Sequence, residues 1–210
     1  MMEELFIRYP VLEICKSEIE ETAERIKKMY RNGGKLLLCG NGGSCADCEH
    51  IVGELMKDFL IPRHPHRGLV SQLKALYGAD GEFIAANLQR GLPAIALHSQ
   101  CAFSTAFCND VRADLIYAQA VYGFANNNDL LFCISTSGNS SNIVYAAKLA
   151  KALGIPVCSM TGQSESELSR MSDVTIRVPE TETYRIQELH LPIYHAICID
   201  VERYFSDCNG

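Results

Sequence analysis

The chain has 210 residues, of which 48% are hydrophobic and 21% charged, and its formal net charge is -6 at pH 7. This size and composition predict one globular domain over residues 1–210, and the lack of a basic surplus argues against nucleic acid as a partner. No apolar run approaches the roughly 20 residues that span a bilayer, and no secretory signal accompanies the ten cysteines. We therefore expect reduced thiols and a cytoplasmic protein with no membrane partner.

The first predicted element is a long helix within residues 1–34. Apolar residues recur with a helical period from Val11 to Asn32, and Gly33 and Gly34 supply a C-terminal stop.

Short apolar runs then alternate with helical stretches. The predicted strands are residues 35–39, 93–97, 129–134, 156–160 and 174–178, and the later helices run through Leu153, near Leu168 and from Tyr184 to Phe205. Continuously apolar strands between helices predict an α/β fold in which a parallel sheet is covered on both faces. The turns after the strands should lie at the carboxyl edge of the sheet, where such folds bind ligands.

Residues 59–92 interrupt this alternation, because they are rich in Gly, Pro, His and Arg. We interpret them as an inserted segment with one short helix at 82–88.

Two of the predicted turns carry polar groups suited to an anion. In the first, Gly40 to Ser44, the glycines permit close backbone approach and Ser44 can cap the next helix, although a plain tight turn gives the same pattern. It matches neither the P-loop nor the dinucleotide motif, which argues against a nucleotide cofactor. The second, Ser135 to Ser140, has four hydroxyls where a helix needs one cap, and this favours phosphate.

Candidate catalytic groups lie on two helices. His50 and Glu54 are four residues apart on the helix after the first turn, a spacing that suits an acid/base pair, a metal site or a plain surface pair. The last helix offers Gln187, Glu188 and His195. At about 100° per residue, Glu188 shares a face with His195 better than Gln187 does, unless Pro192 distorts the helix.

The chain resembles the sugar isomerase (SIS) family, and within it the sedoheptulose-7-phosphate, or phosphoheptose, isomerases. The resemblance rests on the joint occurrence and order of GNGGS, the following His50 and Glu54, Asn109-Asp110, STSGNS, and RIQELH with His195. The resemblance extends from the first helix to Phe205. It implies a five-stranded parallel sheet in a flavodoxin-like three-layer fold, and a homotetramer, or a dimer, with active sites between subunits.

The resemblance also implies roles for residues. Glu54 and His195 correspond to the acid/base pair, and a zinc ion, one per subunit, would be held by His50, Glu54, Gln187 and His195, so that Gln187 replaces the Glu188 favoured by the helical angle. The implied contacts to a sugar phosphate are Asn41, Gly42, Gly43, Ser44, Asn109, Asp110, Ser135, Thr136, Ser137, Ser140 and Gln187.

The implied reaction is aldose–ketose isomerisation through an enediol, with Glu54 as base and His195 as acid. Two features depart from the family pattern: Met56-Lys57-Asp58 lacks a usual Arg, and the path from Glu54 to Asp110 is long. We therefore predict that residues 59–92 cover the mouth of the site and set substrate choice, with phosphate partners among Arg63, Arg67 and Arg90. Two alternatives stay open: a non-catalytic SIS protein that binds a replication initiator or another regulator, and an isomerase or lyase for a different phosphosugar.

Overall fold

The computed structural model describes residues 2–207, so residue 1 and residues 208–210 of the predicted domain lie outside it. Five parallel strands form one sheet in the order β2-β1-β3-β4-β5. The strands are β1 (Leu36–Gly40), β2 (Ala94–Ala96), β3 (Leu130–Ile134), β4 (Val157–Thr161) and β5 (Val174–Arg177). The helices are α1 (Met2–Arg8), α2 (Lys16–Arg31), α3 (Gly43–Met56), α4 (Arg67–Tyr77), α5 (Ala79–Asn87), α6 (Cys101–Phe107), α7 (Ile116–Phe124), α8 (Ser141–Ala152), α9 (Glu167–Met171) and α10 (Thr183–Asp207).

Helices cover both faces of the sheet, as predicted. Successive side chains of a strand point to opposite faces, and in β1 Leu36 and Leu38 join one buried cluster while Leu37 and Cys39 join the other. Residues of α2, α3 and α10 belong to the first cluster, and residues of α7 and α8 belong to the second. Burial on both faces is the reason that β1 and β3 are apolar at every position.

The predicted N-terminal helix is confirmed over Lys16–Arg31, but it does not extend over all of residues 1–34. The chain forms α1, then a 3₁₀ helix from Pro10 to Cys15, and only then α2. Pro10 has no amide hydrogen to donate, and it disfavours the helical conformation at Tyr9, whose φ and ψ are -131° and 71°. The predicted stop is confirmed, because Gly33 has a positive φ of 74° just after α2.

Residues 59–92 contain two helices where the sequence predicted one. Helix α4 was missed, although Leu69, Leu73 and Leu76 recur at helical spacing within it. None of its residues is buried. It packs mainly on α5, and a Cβ at Gly81 of α5 would collide with the backbone carbonyl of Leu73. Gly81 therefore permits the close approach that makes α4 and α5 a helical hairpin.

A buried ion pair fastens the start of this segment to α10. The guanidinium of Arg63 lies 3.3 Å from the Glu202 carboxylate and donates to the backbone carbonyl of Lys57 at the end of α3. Glu202 also accepts the backbone N–H groups of residues 59–61 at 2.7 to 3.1 Å. The prediction that Arg63 is a phosphate partner was therefore wrong, because its side chain is 2% exposed and holds the fold instead.

Among residues 2–207, no helix combines the length and the apolar character needed to cross a membrane.

Candidate active site

The two polar turns lie side by side at the carboxyl edge of the sheet. Gly40 at the end of β1 pairs with Ile134 at the end of β3, so the turns leave the sheet as neighbours. The side-chain amides of Asn41 and Asn142 exchange two hydrogen bonds of 2.9 Å and tie the first turn to α8. The predicted location of both turns is thus confirmed.

The first turn is built from glycines. The prediction that Ser44 caps α3 was wrong. Gly42 is the N-cap residue and has a positive φ of 56°, which favours glycine, while Ser44 is buried in the first turn of the helix. A Cβ at Gly43 would lie 2.6 Å from Nε2 of Gln187. The lack of a side chain at Gly43 therefore leaves room for the Gln187 amide beside the turn.

The second turn has hydroxyls with two different functions. The hydroxyls of Ser135 and Ser137 accept backbone N–H groups within the turn, each at 3.2 Å. Ser140 is the N-cap residue of α8, yet its hydroxyl makes no capping bond, and the hydroxyl of Thr136 has no hydrogen-bond partner in the described part of the chain. Two hydroxyls therefore shape the turn, and two are available to a ligand at the positive end of α8.

Helices α3 and α10 bring three titratable side chains together. Nε2 of His50 lies 3.2 Å from Oε1 of Glu54 and 3.4 Å from Nε2 of His195. Lys57 Nζ lies 3.1 Å from the other carboxylate oxygen of Glu54. Burial lowers the pKa of His195, and neighbouring His50 acts in the same direction. The i, i+4 pair on α3 thus faces the last helix and forms a carboxylate–imidazole cluster with it.

The predicted zinc ligands are not arranged as a metal site in this structure. Among residues 2–207, no group of three or more His, Cys, Asp or Glu is arranged to hold a metal ion. The donor types suit zinc, but both oxygens of Glu54 are engaged by His50 and Lys57, and Gln187 lies against the glycine turn.

The helical-angle argument is confirmed in one respect. Glu188 and His195 line the same cleft of about 220 Å³ between α1 and α10, so they do share a face of the helix. Pro192 lies inside α10, which continues past it to Asp207.

Asn109 and Asp110 are not brought to the cluster within one chain. They lie exposed in a π-helical turn, Cys108–Arg112, where the Asn109 amide donates to the Asp110 carboxylate at 2.8 Å. The sequence analysis missed Tyr194 and Asp47. The Tyr194 hydroxyl lies within hydrogen-bonding distance of both His50, a member of the cluster, and Asp47.

Comparisons with known proteins agree on one family. The SIS domain matches residues 91–197. The chain is 38% identical over 179 residues to a phosphoheptose isomerase of Mycobacterium bovis, which covers 85% of this chain and 78% of that protein. It is 33% identical over 196 residues to a phosphoheptose isomerase of Aliarcobacter butzleri, with 93% and 90% covered. A solved phosphoheptose isomerase from Francisella tularensis superposes with a TM-score of 0.72 at 31% identity, over 89% of this chain and 86% of that one.

Proposed function

The chain belongs to the SIS domain family and, within it, to the phosphoheptose isomerases, and on this premise we propose that it interconverts sedoheptulose 7-phosphate and its aldose isomer. The observation that carries the proposal is the cluster of Glu54, His50 and His195. Its first two residues lie on α3, which begins at the glycine turn, and that turn lies beside the turn with unpaired hydroxyls.

The cluster supplies the groups that isomerisation requires. A carboxylate removes the proton from the carbon next to the carbonyl, which gives an enediol, and the proton returns on the neighbouring carbon. A second group moves the hydroxyl proton between the two oxygens. Glu54 suits the first task, and the His195 imidazole, which burial favours in its neutral form, can both donate and accept for the second.

The phosphate of the substrate is assigned to the second turn. The hydroxyls of Thr136 and Ser140 and the start of α8 offer hydrogen-bond donors and the positive end of the helix dipole. Ser135 and Ser137 keep the turn in shape through bonds to backbone N–H groups. The glycine turn from Asn41 to Ser44 and the side chain of Gln187 then face the sugar.

Zinc binding by His50, Glu54, Gln187 and His195 remains a separate proposal. A zinc ion there would polarise the sugar's carbonyl and hydroxyl oxygens. Glu54 would first have to release Lys57, and Gln187 would have to turn from the glycine turn toward the two imidazoles. The proton transfers above use no metal. Elemental analysis of the purified protein, compared with a His50→Gln variant, tests this proposal.

Self-association into a homotetramer is also proposed. Large apolar side chains are exposed on several elements, among them Ile7, Ile14, Phe83 and Tyr122. In the proposed tetramer, contacts between chains would cover side chains of this kind. Light scattering should give a mass four times that of the 23.3 kDa chain. An assembly of this kind would also bring Asn109 and Asp110 toward a neighbouring site.

The test of function is turnover of a panel of ketose and aldose phosphates, with and without added zinc. We expect isomerisation of sedoheptulose 7-phosphate by the wild type and none by Glu54→Gln. Glu188→Gln is the matched control, because Glu188 lines the cleft with His195 but lies outside the cluster. Activity on another sugar phosphate alone would move the assignment to that substrate, and no activity on any of them would favour a non-catalytic binding protein.

A further inference from the structure

Tyr194 is almost completely buried between α3 and α10, at 1% exposure, and its hydroxyl has two polar neighbours. Nδ1 of His50 lies 2.9 Å from the hydroxyl oxygen, and Oδ1 of Asp47 lies 3.2 Å from it. Asp47 and His50 are three residues apart on α3, so one tyrosine of α10 bridges two residues of the same helical face. No role assigned above uses Asp47 or Tyr194.

The chemistry of the three groups fixes the direction of both hydrogen bonds. An ionised carboxylate can only accept, and a tyrosine hydroxyl has a single hydrogen to donate. Tyr194 donates that hydrogen to Asp47, whose other oxygen is buried without a partner among the described residues. The hydroxyl oxygen then has only lone pairs to offer His50, so Nδ1 of His50 must carry a hydrogen and donate it.

We propose that Asp47 and Tyr194 are positioning residues that keep a hydrogen on Nδ1 of His50, so that His50 exchanges protons with the site only through Nε2. That nitrogen is the one 3.2 Å from the Glu54 carboxylate and 3.4 Å from His195.

The arrangement also fixes the orientation of the His50 ring. The ring packs edge-to-face against Tyr194, with centroids 5.5 Å apart and an interplanar angle of 73°, and meets His195 at 85°. Without the Tyr194 hydroxyl, the neutral imidazole of His50 can carry its hydrogen on either nitrogen. The ring can also flip, because there is no longer a hydrogen bond to Tyr194 that the flip would break. Nε2 would then face the Glu54 carboxylate, to which it can pass a proton, only part of the time.

The direct test is nitrogen NMR of the histidine rings in sedimented protein labelled with ¹⁵N-histidine. The chain has six histidines, and a His50→Gln variant identifies the signals of His50. In the wild type we expect Nδ1 of His50 to be protonated wherever the ring is neutral. In Tyr194→Phe the two nitrogens should report a mixture of tautomers. A wild-type ring with its hydrogen on Nε2, or a Tyr194→Phe spectrum equal to that of the wild type, would overturn the proposal.

A kinetic test rests on the proposed isomerase function and complements the NMR. Changes in residues that orient a metal-binding histidine typically reduce activity about 10- to 100-fold, and we use this range for His50. We expect such a loss in kcat for Tyr194→Phe with KM nearly unchanged, because the phosphate turn is untouched. Tyr30→Phe is the matched control, since Tyr30 is also buried and its hydroxyl bonds the Pro93 carbonyl, away from the cluster.

Asp47 variants keep the proposal testable if Tyr194→Phe folds poorly, which circular dichroism would reveal. Asp47→Asn retains an oxygen that accepts from Tyr194, so its ring signals should stay close to those of the wild type, whereas Asp47→Ala should show the tautomer mixture. Equal spectra for the two Asp47 variants would contradict the proposal. Because the spectra need no substrate, a wrong substrate assignment leaves this result intact.

Discussion

The Ser140 hydroxyl is free to bind a ligand because it does not stabilise the fold through a capping bond. Ser140 precedes α8 as the N-cap residue, but its hydroxyl makes no bond to that helix, whereas the hydroxyl of Ser137 accepts Asn139 N–H. Ser140→Ala should therefore weaken binding of the sugar phosphate about tenfold or more without lowering stability, since a hydrogen bond to a charged group contributes roughly 1.5 to 3 kcal/mol. Titration calorimetry measures the affinity.

The control for this prediction is Ser172→Ala, which removes a hydroxyl bonded to the Leu168 carbonyl in α9. Its affinity should equal that of the wild type. If Ser140→Ala also binds as the wild type does, the phosphate is held elsewhere and the assignment of the second turn is wrong.

The relative positions of two site residues could be predicted from the sequence where both residues lie on the same helix. Helical spacing alone put His50 and Glu54 on one face, and the helical angle put Glu188 with His195 in one cleft. Tyr194 could not be found in this way, because its contact with Asp47 joins residues 147 positions apart. The pairing of α3 with α10 depends on packing, which spacing within either helix does not reveal.

At the scale of elements, α10 contains a histidine whose burial should make stability depend on pH. His190 is fully buried, and burial lowers its pKa from 6.5 to about 4. The unfolded chain therefore binds a proton that the folded chain does not between these values, so His190 lowers stability as pH falls from 6.5 toward 4. The contribution to the slope reaches at most about 1.4 kcal/mol per pH unit.

Replacing His190 by Gln should flatten this slope. Urea unfolding at several pH values and one protein concentration gives the free energies to compare. His66→Gln is the control, because His66 is exposed on the inserted segment and should leave the slope unchanged. A His190→Gln protein with the wild-type slope would show that other groups cause the acid sensitivity.

The elements themselves were predicted well where the apolar pattern was strong. All five strands lie within a residue or two of their predicted bounds, and β1, β3 and β4 are buried on both faces, which gives the strongest apolar runs. The N-terminal helix was misjudged because its apolar period continues through Pro10–Cys15, where the backbone is 3₁₀ rather than α. Helix α4 was missed because the Gly, Pro, His and Arg residues before it suggested a loop.

At the scale of the whole molecule, the α4–α5 hairpin departs from the compact sheet and returns beside the site. Its first end is fastened by Arg63 and Glu202, and its second returns through Leu92, whose N–H bonds the Leu55 carbonyl in the helix of Glu54. Both ends therefore lie next to the proposed catalytic carboxylate. This placement supports the prediction that residues 59–92 determine substrate choice.

Replacing residues 66–89 with a short Gly-Ser linker tests this role. The two helices pack mainly on each other, and Arg63 stays in place, so the shortened protein should fold. We expect the relative rates across the sugar-phosphate panel to change. A folded protein with an unchanged ranking would show that the hairpin has no part in specificity.

The most direct test of the account is proton NMR of sedoheptulose 7-phosphate incubated with the enzyme in D₂O. Removal of a carbon-bound proton by Glu54 predicts an aldose with deuterium on the carbon that was the carbonyl of the ketose. Glu54→Gln should give neither product nor exchange while it still binds the sugar phosphate in calorimetry. Wild-type rates of exchange in Glu54→Gln would contradict the central claim that Glu54 is the base.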